Sequence, residues 1–86
     1  MMILAVFRSR AHSLDYAERL HKYGVVATLE STPKEAKIGC GLCVRFPASA
    51  FARAQAILKV SGYSSFKGFY KTDFVNGKME VTPYRK

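Results

Sequence analysis

Residues 38–47, which read IGCGLCVRFP, decide the fold because their pattern changes character halfway. The first half places Cys40 between Gly39 and Gly41, and glycine lets a loop take backbone conformations that other residues avoid. The second half alternates as a β-strand does. Its two faces are Leu42, Val44 and Phe46 on one side and Cys43 and Arg45 on the other. A thiol on a loop that leads into a strand is therefore the best candidate for chemistry in this chain.

The chain before this stretch predicts a strand, a helix and a second strand. Residues 2–7 are apolar throughout and predict a buried strand. Ser9 can cap a helix over 10–23, because its hydroxyl can accept an N–H of the first turn, and Gly24 ends that helix. Residues 25–29 are apolar and mostly β-branched, so they predict the second strand. The apolar row predicted on the helix is Ala11, Leu14, Ala17, Leu20 and Tyr23.

The chain after this stretch predicts a second helix, a fourth strand and a hairpin. The helix runs from Pro47 to Gly62, with apolar positions that fit a period of 3.6 residues. Residues 66–75 predict the fourth strand, and Asn76-Gly77 is the strongest hairpin signal in the chain, leading into 78–81. Simple alternation places Phe66, Gly68 and Tyr70 on one face of the fourth strand and Lys67, Phe69 and Lys71 on the other.

The predicted order of elements is β-α-β-β-α-β with an added C-terminal hairpin strand. This is the order of the ferredoxin-like split βαβ fold, an α+β two-layer sandwich in which both helices cover one face of an antiparallel sheet. Residues 1–86 contain no linker and no low-complexity segment, so we predict a single domain.

Composition narrows the class of protein. The 86 residues include 14 Lys and Arg against 6 Asp and Glu, a formal charge of +8. No apolar run approaches the ~18 residues that a membrane span needs, and the first residues lack the features of a signal peptide. We therefore expect a cytoplasmic protein with reduced thiols. The positive charge fits contact with a nucleic acid, an anionic small ligand or an acidic partner protein. It also fits a solvated surface, because the charges are scattered along the chain.

Short motifs along the chain resemble a known family. They are Phe7-Arg8-Ser9, Ala17-Glu18-Arg19-Leu20, Gly24-Val25, Thr32-Pro33-Lys34-Glu35, Cys40-Gly41-Leu42 and Val44-Arg45-Phe46-Pro47. Over about residues 2–70 the chain is similar to the selenium/sulfur (Se/S) carrier protein-like family of small bacterial proteins. Related domains occur fused to sulfur-carrier domains in proteins of selenium metabolism. The resemblance implies that Cys40 is the carrier thiol. Cys43 departs from the family pattern, and an extension over about 71–86 lies beyond the family's usual end.

Such a carrier needs a thiol that is accessible, partly ionised and close to positive charge. In the split βαβ order the first and third strands are antiparallel neighbours, so the third strand starts beside the end of the first. This predicts that Cys40 lies near Phe7, where the N-terminus of the first helix adds positive potential. The residues predicted to bind the ligand or anion around Cys40 are Arg8, Ser9, Gly39, Gly41 and Arg45.

Cys43 leaves both single-thiol and dithiol chemistry open, since it would resolve or modulate the reaction of Cys40. A redox C-x-x-C motif normally precedes a helix rather than a strand. A zinc site would lack ligands, because the only histidines, His12 and His21, are too far apart on one helix to converge. We therefore predict no metal and no cofactor. The predicted function is a carrier that takes persulfide or selenide from a donor protein and passes it to an acceptor, rather than a stand-alone enzyme.

Two other classes of function stay open from the sequence. Lys67-Gly68-Phe69 begins like an RNA-recognition signature, but the residues that follow do not continue it, so RNA binding rests mainly on charge. The other alternative is an interaction domain without chemistry, which forms a homodimer through the helix-free sheet face or through the added hairpin.

Overall fold

The computed structural model describes residues 1–33 and 41–84, and every element below lies in these ranges. In chain order the elements are β1 (Met2–Phe7), α1 (Arg10–Lys22), β2 (Thr28–Ser31), β3 (Leu42–Pro47), a short 3-10 turn (Ala48–Ala50), α2 (Phe51–Ser61), β4 (Phe66–Val75) and β5 (Lys78–Pro83). The strands form one five-stranded antiparallel sheet in the order β2-β3-β1-β4-β5. The predicted α+β class is thereby confirmed, and the strand order is compatible with the ferredoxin-like arrangement.

Both helices pack on one face of the sheet. The central strand β1 turns Ile3, Ala5 and Phe7 toward them, and all three side chains are fully buried. The Tyr16 hydroxyl donates to the carbonyl oxygen of Ala54 at 2.7 Å, which ties α1 to α2 across this core. The helices contribute Tyr16, Ala17, Leu20, Phe51, Ala54 and Ile57 to the same cluster.

The helix-free face carries a smaller apolar cluster. Leu4, Val6 and Cys43 are buried there, and Tyr70 and Val81 pack against them. Strand β1 is therefore buried on both faces, which explains why its sequence is apolar throughout instead of alternating.

The second strand starts later than the sequence predicted. It begins at Thr28 rather than at Val25. The N–H of Val25 donates to the carbonyl oxygen of Leu20 at 2.9 Å, so this residue completes the end of α1 instead of pairing in the sheet. Val25 and Ala27 are nevertheless buried in the core. The apolar run thus indicated burial rather than strand pairing.

The apolar row predicted on α1 is confirmed at Ala17 and Leu20, which are buried, and is wrong at the other three positions. Leu14 and Tyr23 are about half exposed. A strict three-residue spacing drifts around a helix with 3.6 residues per turn, so five such positions cannot stay on one face. The predicted caps are confirmed, because Ser9 Oγ accepts the N–H of His12 at 3.2 Å and Gly24 has a φ of +82°. The residues that α1 actually buries are Ser13, Tyr16, Ala17 and Leu20.

Strand β4 contains a bulge that the predicted alternation did not anticipate. Phe66 pairs with Phe7 and Gly68 pairs with Val6, so one extra residue of β4 lies between the two pairs. The bulge turns both Phe66 and Phe69 toward the helices, with their ring centroids 5.0 Å apart. The prediction that these two rings lie on opposite faces is therefore wrong.

The C-terminal hairpin follows the sequence closely. Asn76 and Gly77 have φ values of 51° and 77°, as a two-residue type I′ turn requires. Strand β5 continues to Pro83, two residues beyond the predicted end at Val81.

The two helices are short. Helix α2 begins at Phe51, after the 3-10 turn, rather than at Pro47. It ends at Ser61, and Gly62 is its C-cap, as predicted. Helix α1 has 13 residues and α2 has 11. Within the described ranges, no helix is long and apolar enough to cross a membrane.

Candidate functional site

The predicted site residues fall into three groups. Gly39 and Cys40 lie outside the described residues. Three others meet where β1 ends, α1 begins and β3 begins. We call this region the junction, and we include in it Ser65, which hydrogen-bonds to its backbone. Cys43 and Arg45 lie instead on the helix-free face. The residues that meet at the junction are Arg8, Ser9 and Gly41.

Gly41 brings the start of β3 against the end of β1. Strands β1 and β3 are antiparallel with Val6 opposite Cys43, so β3 begins where β1 ends, as predicted. A methyl group on Gly41 would lie 3.7 Å from the carbonyl oxygen of Phe7. Gly41 also has a φ of +146°, a conformation that side chains rarely adopt. The backbone conformation at this position therefore favours glycine, directly after Cys40 in the chain.

The first turn of α1 packs on the same end of the sheet. Ser13 is fully buried, and its hydroxyl donates to the carbonyl oxygen of Leu42 at 2.8 Å. The first turn contains no acidic residue, so no carboxylate of the turn offsets the positive end of the helix dipole. Arg8 and Arg10 are both exposed beside this turn. The junction is therefore electropositive.

The loop before β4 holds the junction from the other side. The carbonyl oxygen of Ser65 accepts the N–H of Arg8 at 3.0 Å, and its hydroxyl oxygen accepts the N–H of Ser9 at 3.3 Å. The same hydroxyl lies 2.6 Å from Nδ1 of His12, whose ring is 5.2 Å from that of Tyr63. Sequence reasoning missed Ser65 because its partners lie more than fifty residues earlier in the chain.

Thr32 is a second residue that sequence reasoning missed. Its N–H donates to the carbonyl oxygen of Gly41 at 3.1 Å, which continues the pairing of β2 with β3 beyond Ser31 and Leu42. Its Oγ1 is buried, and it has no hydrogen-bond partner among the residues that the structure describes. A methyl group on Gly41 would lie 3.8 Å from this oxygen. The contact could not be predicted, because the second strand was placed too early in the sequence.

Cys43 is buried and held as a neutral thiol. Its side chain is fully buried beside Leu4 and Val6, and its Sγ lies 3.8 Å from the carbonyl oxygen of Ser31. Burial, with a further contribution from the charge of Glu30, raises the pKa of the Cys43 thiol from 9.0 to about 11. Because the thiolate is the nucleophilic form, Cys43 is a weak nucleophile at neutral pH.

Arg45 is directed to the helix-free face. Its Nη1 lies 2.8 Å from Oε2 of Glu30, an ion pair in which both side chains are partly exposed. The rise of a β-strand places its Cα about 13 Å along β3 from that of Gly41. The structure therefore does not bring Arg45 together with Arg8 and Ser9, and Glu30 offsets part of its charge.

The chemistry of the junction favours an anion or a thiolate over a metal ion. It offers the N-terminus of α1, the buried hydroxyl of Thr32 and the exposed side chains of Arg8 and Arg10. Groups of this kind stabilise negative charge. Outside residues 34–40 and 85–86, the chain contains no group of three side chains that could hold a metal ion.

The aromatic ring that suggested RNA binding is partly buried and packs against the core. Phe69 packs on the helix side, 4.9 Å from the ring of Phe51 and 6.2 Å from that of Phe46. RNA bases stack on rings that a protein exposes. The Phe69 ring is partly exposed, and with Phe66 and Lys67 it lines an open pocket of the surface. Tyr70 lies on the opposite, helix-free face, as the sequence predicted. RNA binding stays a prediction that rests on charge.

The fold and the junction define a small α+β protein with an electropositive strand end next to a cysteine-containing segment. Residues 2–71 match the family model described as "Putative Se/S carrier protein-like". Because this match covers most of the chain, the protein belongs to that family, and the resemblance seen in the motifs is confirmed. Comparisons with curated proteins and with solved structures found no match.

Proposed function

We propose that the protein is a carrier in which the Cys40 thiol accepts a sulfur or selenium atom from a donor protein and passes it to an acceptor. Family membership over residues 2–71 is the observation that carries this proposal. The junction supports it, because Gly41 directly follows Cys40 and packs against the end of β1 at the positive end of α1. We also assign the fold to the ferredoxin-like group, on the strand order and on the placement of both helices over one face.

The transfer step involves no net oxidation. The Cys40 thiolate attacks the outer sulfur of a donor persulfide, R–S–SH, the S–S bond breaks, and the donor leaves as the thiolate R–S⁻. Cys40 then carries the sulfur as a persulfide. An acceptor thiolate attacks the outer sulfur in turn, and Cys40 leaves as a thiolate again. Selenium is transferred by the same two steps when it replaces the outer sulfur of the donor, as R–S–SeH.

The positive groups of the junction would stabilise the charged forms of this cycle. Both the thiolate and the persulfide anion of Cys40 are negative, and the N-terminus of α1 with Arg8 lowers the free energy of such anions. Ser9 fixes the start of the helix, and Thr32 supplies a buried hydroxyl next to Gly41. Arg45 is assigned a weaker, longer-range effect because it is paired with Glu30.

Cys43 has a protective role in this proposal. If its thiolate attacked the inner sulfur of a Cys40 persulfide, a Cys40–Cys43 disulfide would form and the carried sulfur would leave as HS⁻. Burial keeps Cys43 protonated at neutral pH, because its pKa is raised to about 11. The side reaction is therefore slow, and the carried atom is retained until an acceptor arrives.

Loading with sulfane sulfur tests the proposal. Wild-type protein and the variants Cys40→Ser and Cys43→Ser are incubated with a small-molecule persulfide, and intact masses are measured without reductant. We expect one added sulfur atom on the wild type and on Cys43→Ser, and none on Cys40→Ser. An adduct that survives in Cys40→Ser and disappears in Cys43→Ser would move the role to the buried cysteine. No adduct on any folded variant would remove the carrier proposal.

A further inference from the structure

The β4–β5 hairpin extends beyond the rest of the sheet. The last residue of β4 that pairs with β1 is Thr72, opposite Met2. Residues 73–80, which we call the hairpin arm, pair only with each other in the described part of the chain. The arm exposes large apolar side chains, since Phe74 is 76% and Met79 is 52% exposed. Apolar surface gathered on one projecting element is typical of an interaction site.

The outer edge of β5 is available for pairing. The residues that flank a two-residue turn form a hydrogen-bonded pair, here Val75 and Lys78, and such pairs alternate along the ladder. The N–H and C=O groups of Met79 and Val81 therefore point away from β4. Strand β5 is the last strand of the sheet, so nothing in residues 1–33 or 41–84 pairs with these groups as a strand. Pro83 bounds this edge, because proline has no N–H to donate.

We propose that β5 pairs with β5 of a second copy of this chain, antiparallel and around a two-fold axis at Met79. The two sheets then form one continuous sheet with all the helices on the same side. In this arrangement Met79 faces its own counterpart, and the N–H and C=O groups that point outward from both copies hydrogen-bond to each other. A free strand edge is a ready template for pairing of this kind.

Charge selects this register. With Met79 on the axis, Lys78 lies opposite Glu80 of the second copy, and the symmetry makes this pair twice. With Glu80 on the axis, two carboxylates would face each other. With Val81 on the axis, Glu80 would face Thr82, and the pairing of opposite charges would be lost. Only the first register satisfies both the charges and the direction of the backbone groups.

A second copy fits this edge because the edge is complementary to itself. Lys78 and Glu80 lie on either side of Met79, so a copy rotated by a half turn presents the opposite charge at each position. Phe74 pairs with Met79 within the hairpin, so the dimer also forms an apolar row of both residues from both copies across the helix-free face. The arm lies beyond the family match, which ends at residue 71. The inference is therefore independent of the proposed carrier function.

Exchange of the two charges tests the dimer. Sedimentation equilibrium is measured from micromolar to millimolar concentrations, and circular dichroism shows that each variant is folded. We expect a wild-type dimer whose affinity falls about tenfold or more in Lys78→Glu and in Glu80→Lys, because two attractive pairs become repulsive. The double variant K78E/E80K recovers the affinity. Glu80 faces Asp73 in its own hairpin, so its replacement by lysine does not remove a favourable pair within the monomer.

Lys67→Glu is the matched control. It changes the net charge as Lys78→Glu does, but it lies at the other end of β4 and is exposed there, so dimerisation should not change. A wild type that remains monomeric over the whole range overturns the inference. A dimer that neither single change weakens also overturns it, since that dimer would use another surface. Failure of the folded double variant to recover affinity contradicts the proposed register.

Discussion

The junction and the hairpin arm lie at opposite ends of β4 and differ in which groups they leave exposed. At the junction, Ser9, Ser13 and Ser65 hydrogen-bond the backbone of neighbouring elements, above a core of packed aromatic rings. At the arm, Phe74 and Met79 are exposed, and the edge of β5 has no strand beside it in the described ranges.

This difference indicates two different uses of the surface. Where the apolar residues are already buried, the surface that remains is polar and positive, and it suits a small anionic group. Where apolar residues and strand edges stay exposed, the surface suits another protein. Substitutions at one end should therefore leave the property of the other end unchanged.

The largest expected contrast is between two phenylalanines. The ring of Phe7 is fully buried, 5.3–5.4 Å from the rings of Tyr16, Tyr63 and Phe66. We expect Phe7→Ala to lower the free energy of unfolding by ~3–5 kcal/mol. The exposed Phe74 is the control, and Phe74→Ala should change the free energy of unfolding by less than ~0.5 kcal/mol. Urea unfolding measures both.

The milder Phe7→Leu keeps this contrast measurable if Phe7→Ala does not fold. Leucine retains most of the buried apolar volume, so its loss should be smaller than that of alanine but still larger than that of Phe74→Ala. Equal losses at the two positions would contradict the division between a packed junction and a loosely packed arm.

The next effect is a loss of stability at high pH that Cys43 causes. Its pKa is about 11 in the folded protein, above the ordinary value of 9.0, so the native state holds the proton more tightly than the unfolded chain does. This contribution is complete below pH 9 and is lost as the pH rises through 11. Between pH 9 and pH 11 the free energy of unfolding of the wild type should fall by about 2 kcal/mol more than that of Cys43→Ala.

Urea unfolding of both proteins with reductant at a series of pH values checks this difference. Tyr63, whose pKa burial and its hydrogen bond to Asp15 raise to about 12, also titrates at high pH, but it is common to both proteins. Two unfolding curves that fall in parallel from pH 9 to pH 11 would mean that Cys43 is not held as a buried thiol.

The smallest effect concerns one hydroxyl at the junction. Ser13→Ala removes the donor to the carbonyl oxygen of Leu42, and we expect it to lower the free energy of unfolding by about 1 kcal/mol. The exposed Ser49, in the 3-10 turn, provides the matched substitution Ser49→Ala, which should change little. If Ser49→Ala lowered the free energy of unfolding as much as Ser13→Ala, the hydrogen bond that links α1 to β3 would contribute less to stability than the structure indicates.

Much of the fold could be predicted because its signals are local. Ser9 and Gly24 bound α1, and the pair Asn76-Gly77 requires a tight turn whatever surrounds it. The bounds of β1 and β4 follow from apolar and aromatic runs that end at polar residues or at a turn. These features depend on neighbours within a few residues, so a sequence read alone contains them.

What could not be predicted depends on contacts between distant parts of the chain. The bulge in β4 depends on how Phe66 fits against Phe7, and the bond of His12 to Ser65 spans 53 residues. The burial of Cys43 depends on the strands and side chains that surround it on the helix-free face. The sequence predicted that β3 starts beside the end of β1, because strand order alone fixes this, but it did not predict the role of Thr32.

The central claim is that Cys40, and not Cys43, carries the transferred atom. Wild-type protein loaded with sulfane sulfur is alkylated and digested with trypsin, which cleaves after Lys37 and Arg45 and leaves both cysteines in one peptide. Fragmentation of that peptide by mass spectrometry locates the added sulfur. We expect it on Cys40, with Cys43 unmodified in the native protein. Added sulfur on Cys43 alone, or on neither cysteine, would contradict the account.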